Sequence, residues 1–515
     1  MLYRDGTGRL ELALFGIVFS LSLFYAWRHR RRPKLPLPPG PRKLPVIGNL
    51  LDVGKAFEWE SYHEMNQKYN SDVVHLSILG LSVIVLDTLE AVEELLVTRS
   101  TIYSDRPRMI MLRELAGWNW AFPFMHANEG WRQQRKMIHA EFSAKAVLNF
   151  RGQELKAAHD MLQRLLHSPT AWYDDMHVFL SAIFMSTIYG IDVVERHDPY
   201  IVTQKKANGA ISMATTPGNF IVESLPLLKY LPTWFPFAEF KRMAVKWQND
   251  AHDMLWRPIQ VVRKDLATGY PTSSCASRGM LKLQDLPDDE RPGQEFILQR
   301  ALASMAPAGD TVLSALRSFV LEMTRRPEIQ RKAQEELDSV LHGERLPVFS
   351  DQESMPYITA LVKEILRFFP ITPLGAPHST SADDIYKGYF IPSGTVVLPN
   401  IWAILHDPKE YADPHVFNPD RFFNTKTHKA ELDPSTAVFG FGRRICPGVH
   451  MVMDVLWLTV ASVLSVFEIE KAIDPETKQE IPVGKFQERG VIVHPIRFEC
   501  TIKPRSAAAI KLIQD

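Results

Sequence analysis

Apolar residues recur at helical spacing over long stretches of the chain, Ala144–Leu166, Gln294–Arg325 and Pro327–Leu341, and an almost wholly apolar run extends from Val449 to Phe467. Recurrence at i, i+3 and i+4 predicts helices with one buried face, and the run that is apolar all round predicts a helix buried on every side. Alternation of apolar and polar positions is confined to Val73–Leu79, Ser82–Leu86, Thr395–Pro399 and Gly490–Thr501. The first three are the length of one short strand, and the last is somewhat longer. The fold class expected is mainly α with small β-sheets at its edge. Tyr270–Pro292 and Asn424–Pro434 read as the longest loops, too short and too embedded to link separate domains.

The pattern changes at the N-terminus. Leu10–Trp27 carries only one charge, Glu11, and at 1.5 Å per residue it spans about 27 Å, close to the hydrocarbon thickness of a bilayer. Arg28-His29-Arg30-Arg31-Arg32 follows directly, and clustered positive charge stays cytoplasmic, so the bulk of the chain is expected on the cytosolic face. A cleaved signal peptide would have a shorter apolar core and a small-residue cleavage site in place of the arginines. Residues 33–45, with Pro38-Pro39-Gly40-Pro41 inside them, read as a stiff extended hinge.

Charge is balanced, with 59 Lys+Arg against 59 Asp+Glu, and no basic stripe beyond the N-terminus offers a nucleic-acid surface. Of three cysteines, Cys275 and Cys500 look structural, which fits a reducing compartment rather than a disulfide framework. His63-Glu64 lacks the second histidine of a zinc protease.

Cys446 is different. It lies in Phe439-Gly440-Phe441-Gly442-Arg443-Arg444-Ile445-Cys446-Pro447-Gly448, a glycine-rich loop at the start of the apolar Val449–Phe467 run. Metal binding requires the thiolate. Unpaired N–H groups and the positive dipole end of the following helix are expected to push this thiol down. Gly440, Gly442 and Gly448 let the backbone approach a flat macrocycle closely, and Arg444 offers a fork of donors for a carboxylate.

The spacing Phe439, Gly442, Arg444, Cys446, Gly448 resembles the heme-binding signature of the cytochrome P450 monooxygenases. The resemblance implies further pieces, and the chain has them. Glu364 and Arg367 match a Glu-x-x-Arg pair, and Phe417-Asn418-Pro419-Asp420-Arg421-Phe422 supplies the Arg421 of a buried structural triad fixing the loop of Cys446. Asp310-Thr311 matches the acid–alcohol pair that delivers protons during oxygen activation. Pro307 and Ala308 stand where the family has (Ala/Gly)-Gly, and Pro307 cannot bond the carbonyl of Ala303, so a kink is expected. Trp131 and Arg135, on one face at i, i+4, resemble the contacts to one heme propionate, with His378 and Arg444 as further propionate contacts.

By resemblance, residues near 131, 310, 378 and 446 touch one heme. The organisation expected is therefore residues 1–32 as a single transmembrane anchor with its basic flank, 33–45 as the hinge and 46–515 as one heme-binding catalytic domain. The cofactor implied is heme b (iron protoporphyrin IX), with Cys446 as metal ligand. Gly440-Phe441-Gly442 begins a dinucleotide fingerprint, but Ile445 takes the place of its third glycine. Electrons are thus expected from NADPH through a separate NADPH-cytochrome P450 reductase, with cytochrome b5 a further candidate and Arg443 on the docking face. The implied reaction inserts one atom of O2 into a lipophilic small molecule at the endoplasmic reticulum membrane. Substrate contacts are implied near Trp118, Trp120, Phe122, Phe124, Phe220, Ile371 and Phe486. Leu225–Phe240, with Trp234, Phe235 and Phe237, reads either as packing or as a segment dipping into the bilayer. The chain resembles microsomal members of filamentous fungi that tailor secondary metabolites, of the O-methylsterigmatocystin oxidoreductase-like kind. Terpenoid, polyketide and indole-derived substrates stay open. The alternatives are a reductase-independent isomerase or dehydratase, whose heme-thiolate members tend to lack the acid–alcohol pair, and a non-catalytic heme sensor, which needs neither residue.

Overall fold

The apolar C-terminal run forms the helix Val449–Val466. It is long and apolar enough to cross a membrane, yet lies mostly buried inside the protein. Helices Arg151–His167, Gly309–Arg325, Pro327–Leu341 and Pro356–Phe368 pack around it, and their inward faces join the largest apolar core. A helix apolar on all sides is stable in water only when neighbours cover all of it. A computed structural model describes residues 35–54, 56–216, 218–425, 429–488 and 490–515. The anchor at 1–32 and the first residues of the hinge lie outside the described residues.

Strands β1 (Val73–Ile78) and β2 (Leu81–Leu86) form a hairpin. Through β6 (Val396–Pro399) and β3 (His378–Ser379) the hairpin becomes a sheet of order β1-β2-β6-β3, with the β2–β6 pair parallel. Two small ribbons pair β4 (Asp384–Tyr386) with β5 (Tyr389–Ile391) and β7 (Phe467–Lys471) with β8 (Cys500–Pro504). The described part of the hinge lies along these edges: the N–H of His75 donates to the Pro39 carbonyl at 2.8 Å and that of Phe390 to the Pro36 carbonyl at 2.7 Å.

The structure departs from the pattern reading in four places. The Gln294–Arg325 stretch divides into helices Arg291–Met305 and Gly309–Arg325 around a 3₁₀ turn at Ala306–Ala308. Pro307, without an N–H and with its ring against the preceding turn, sets the break. Ala144–Leu166 becomes helical as a 3₁₀ turn at Val147–Phe150 followed by Arg151–His167. The expected loop at Tyr270–Pro292 contains a helix, Cys275–Leu283, begun by a reciprocal cap in which Ser274 and Ser277 satisfy each other's backbone N–H. Of Gly490–Thr501 only the end pairs as β8. Upstream, the residues described form one isolated bridge, Phe486 to Pro495, because proline cannot donate to a ladder.

Candidate active site

Two glycines shape the cysteine loop. Gly440 (φ 77°) and Gly442 (φ 55°) adopt left-handed backbone, and a Cβ on Gly442 would stand 2.1 Å from the Leu96 carbonyl oxygen. Only glycine fits that second position. The turn closes when the N–H of Cys446 donates to the Phe439 carbonyl at 2.8 Å, and Gly448 caps the Val449–Val466 helix. Opposite the loop lies Met305, at the end of helix Arg291–Met305. Its Cε is 3.8 Å, and the Cys446 Sγ 3.9 Å, from a Cβ placed on Gly448. The helix and the cysteine loop thus face each other across a flexible thioether, a side chain that rearranges at low cost.

Burial pushes the Cys446 thiol up, and the Gly448 N–H and the charge of Arg135 pull it down without overcoming burial. The expectation that local dipoles alone lower this thiol is corrected: desolvation of the thiolate outweighs them. A coordinating metal ion, which displaces the thiol proton outright, meets what the site lacks.

Beside the sulfur stands a cluster of positive charge. Arg444 donates from Nε to the Ser104 carbonyl and from Nη2 to the Met125 carbonyl, both at 2.8 Å, and stacks over Trp131 at 4.3 Å. Its Nη1 and the Trp131 Nε1 are buried without partners. Each such donor costs about 1–3 kcal/mol. Burial, with Arg106, Arg135 and Arg113 nearby and Asp105 alone opposing, pushes the Arg444 guanidinium down to about 8. A guanidinium keeps its proton under physiological conditions, so the pocket is short of negative charge. The two idle donors fit the carboxylates of a heme.

Arg135 and His378 fit less simply. Arg135 spends an N–H on the Ile445 carbonyl at 2.5 Å, so it braces the cysteine loop as well as facing the pocket. His378 is buried with its Nδ1 2.8 Å from the Tyr103 carbonyl. A carbonyl only accepts, so Nδ1 carries the proton. Burial and the charges of Arg106 and Arg444 push the ring down to about 3, against the Tyr103 contact. The ring is neutral with Nε2 as a lone pair, and donation to a propionate from Nε2 would need a second proton.

The ionic group expected beneath the loop is assembled. Arg367 Nε and Nη2 each reach a Glu364 oxygen at 2.8 Å, and Arg421 Nε lies 3.2 Å from Glu364 Oε2. All three residues are buried. A fourth member, Glu431, accepts from Arg421 at 2.5 Å. Two acids then face two arginines, which lowers the cost of burying charge. Lys363 pairs with Asp433 at 2.7 Å, just before the turn Ser435–Val438 that leads into Phe439.

The Cytochrome P450 family model matches residues 38–500. Among curated proteins, Cytochrome P450 monooxygenase 98 of Postia placenta is 42% identical over 95% of this chain and 94% of its own length. Tryptamine 4-monooxygenase of Psilocybe cyanescens is 37% identical over 97% and 99%, and Cytochrome P450 monooxygenase claR of Ampulloclitocybe clavipes 37% over 98% and 92%. The chain belongs to the cytochrome P450 family. It is an oxygen-incorporating oxidoreductase, and the family implies a heme cofactor.

In this P450, Asp310 and Thr311 open the helix Gly309–Arg325. The Thr311 hydroxyl donates to the Ala308 carbonyl at 2.9 Å, leaving its oxygen free to accept. Asp310 is held below the ordinary carboxylate range: burial opposes this, but the hydrogen bond from His494 and the positive charge around it, Arg317 included, prevail. His494 Nε2 lies 3.3 Å from Asp310 Oδ2.

Trp118 and Trp120 stack at 5.3 Å, in a core shared with Phe124, Phe220, Ala303 and Ala306. Phe122 and Ile371 belong to the main core instead. Arg443 is exposed.

Sequence reasoning missed Arg106, Glu431 and His494. Arg106 is buried and donates to the Pro123, Ala376 and Pro377 carbonyls, joining three segments that are separate in the chain. Nothing local marks any of the three. A buried acid was foreseeable for Arg421 only by balancing the charges.

Proposed function

We propose that this P450 is a membrane-anchored heme-thiolate monooxygenase that receives electrons from NADPH-cytochrome P450 reductase, with cytochrome b5 as accessory donor, and oxidises a lipophilic secondary metabolite at the cytosolic face of the endoplasmic reticulum. The observation that carries this reading is the position of Asp310 and Thr311, which open the helix directly after the segment whose Met305 lies against the cysteine loop. Isomerase relatives tend to lack this acid–alcohol pair, and a sensor needs neither residue.

Cys446 would ligate the iron. Trp131 and Arg444 would hold the propionates, Arg135 would brace the loop, and Phe439, Gly442 and Gly448 would frame the macrocycle. When bound, heme supplies dioxygen activation and oxygen-atom transfer. Thr311 holds a proton-bearing hydroxyl at the site, and Asp310 moves protons toward it. Glu364, Arg367, Arg421 and Glu431 keep the loop rigid.

Membrane attachment is supported by the 1–32 pattern and by an exposed apolar surface. Leu227 is 81% exposed, Trp234 78% and Phe237 82%, so packing against the core does not explain these three side chains. A patch of this kind marks an interaction surface. One relative is named for tryptamine, so an indole-derived compound heads the candidate substrates.

The test is reconstitution of the full chain with reductase and NADPH, with tryptamine and related indoles as probes. Oxygen consumption matched by an oxygenated product supports the reading. Product formed without reductase would contradict it.

A further inference from the structure

Asp310 is met by charged and titratable groups from every element packed against it. His494 comes from the segment before β8, His177 from helix Trp172–Tyr189, Arg317 from its own helix and Lys205, beside His177, from helix Pro199–Thr215. Asp174 and Arg497 stand further out, linked at 3.3 Å. Two of these groups have fixed states. Arg317 lies over the Tyr173 ring at 3.5 Å and donates to the Tyr173 carbonyl. His177 is pushed down to about 4 by burial and by Lys205 and Arg317, so it stays neutral.

His494 is placed differently. One ring nitrogen faces the carboxylate, and the other, Nδ1, is buried with no partner. An imidazole can take a proton on one ring nitrogen and release one from the other. Asp310 itself also borders an opening. Beside Asp310 lies a small cavity lined by His177, Gln204, Asn208, Ala306 and Gly309, of about 10 Å³, room for roughly one water. Ala306 and Gly309 flank the Pro307 turn. The break in the helix therefore borders the space through which a proton would pass.

We propose that His494 is a proton-relay residue that reloads Asp310 during turnover. A hydronium ion gives up one proton to Nδ1 and becomes water, the Nε2–H bond breaks and that proton passes to Asp310 Oδ2. The ring leaves the step neutral and regains its starting tautomer by exchange with water. No oxidant or reductant enters the step. His494 acts through Asp310 and so positions and supplies protons without touching the reacting atoms.

This rests on the monooxygenase reading, and the experiment separates the two. Full-length wild type, His494→Gln, His494→Phe, Asp310→Asn and the Asp310→Asn/His494→Gln double variant are reconstituted with reductase and NADPH. Without added substrate, peroxide released per NADPH reports two-electron turnover, and the remainder reports water formation, which consumes more protons. The ratio is measured from pH 6 to 8.5 in H2O and D2O, after the reduced, carbon monoxide-bound spectrum has verified equal heme-thiolate content. The relay predicts a wild-type ratio that rises with pH. His494→Gln should be high and flat, with water-forming turnover down about tenfold, the lower side of a general-acid contribution. The double variant should match Asp310→Asn alone. His494→Phe with the wild-type pH profile and solvent isotope effect, or losses that multiply in the double variant, would overturn the relay while leaving the monooxygenase reading intact. A wild type without the thiolate spectrum would overturn both.

Discussion

The cysteine loop and the helix break opposite it solve different problems with different materials. The loop is held by two left-handed glycines and a closing N–H of its own backbone, and by a buried four-member ionic group whose helix packs on the turn leading into the loop. The break at Ala306–Ala308 is set by Pro307, and the acid just beyond it is met by side chains contributed from far away, with His494 reaching Asp310 across 184 positions. A ligand position must not move, so rigid backbone suits it. A proton path must change state repeatedly, and side chains do that. Changes to the loop side should therefore remove the cofactor, whereas changes at the break should leave it bound and spoil its use.

Glu364→Gln should have the largest effect. It leaves Arg367 and Arg421 buried with one acid fewer, at a cost of about 3–5 kcal/mol, read as loss of heme from the purified protein and a lowered urea midpoint. Gly442→Ala follows, since an alanine at that φ also drives its Cβ into the Leu96 carbonyl. About 3 kcal/mol of destabilisation is expected, with the thermal midpoint as readout. Arg444→Leu removes a charged donor worth about 1.5–3 kcal/mol and should weaken heme affinity by roughly ten- to a hundredfold in a transfer assay. Asp310→Asn should leave heme content unchanged and cut product per NADPH. Equal heme loss in Asp310→Asn and Glu364→Gln would erase the contrast between the two sides.

A small pH effect sharpens the same contrast. Asp310 is held below its ordinary value, so its contribution to stability is present above about pH 4 and lost as pH falls through the folded value. Asp310→Asn should flatten that part of the acid-unfolding curve.

The contrast also explains what could be read in advance. Cys446, the glycines beside it, Glu364 and Arg367 lie within short segments whose spacing carries their geometry, and Pro307 marked its own break. The helix Val449–Val466 was legible because its apolar pattern admits only a buried helix. Glu431 and Arg106 were not, since each answers a charge or a carbonyl brought near only by folding. The segment after Gly490 alternates like a strand, but Pro495 removes a donor and the segment instead carries His494 to Asp310. The thiol of Cys446 was misjudged because dipoles are visible in sequence and depth of burial is not.

The most direct measurement is the reduced, carbon monoxide-bound absorption spectrum of the wild type beside Cys446→Ser. A thiolate-specific band in the wild type that is absent in the variant is the predicted result. A variant whose heme spectrum matches the wild type would show that Cys446 is not the ligand.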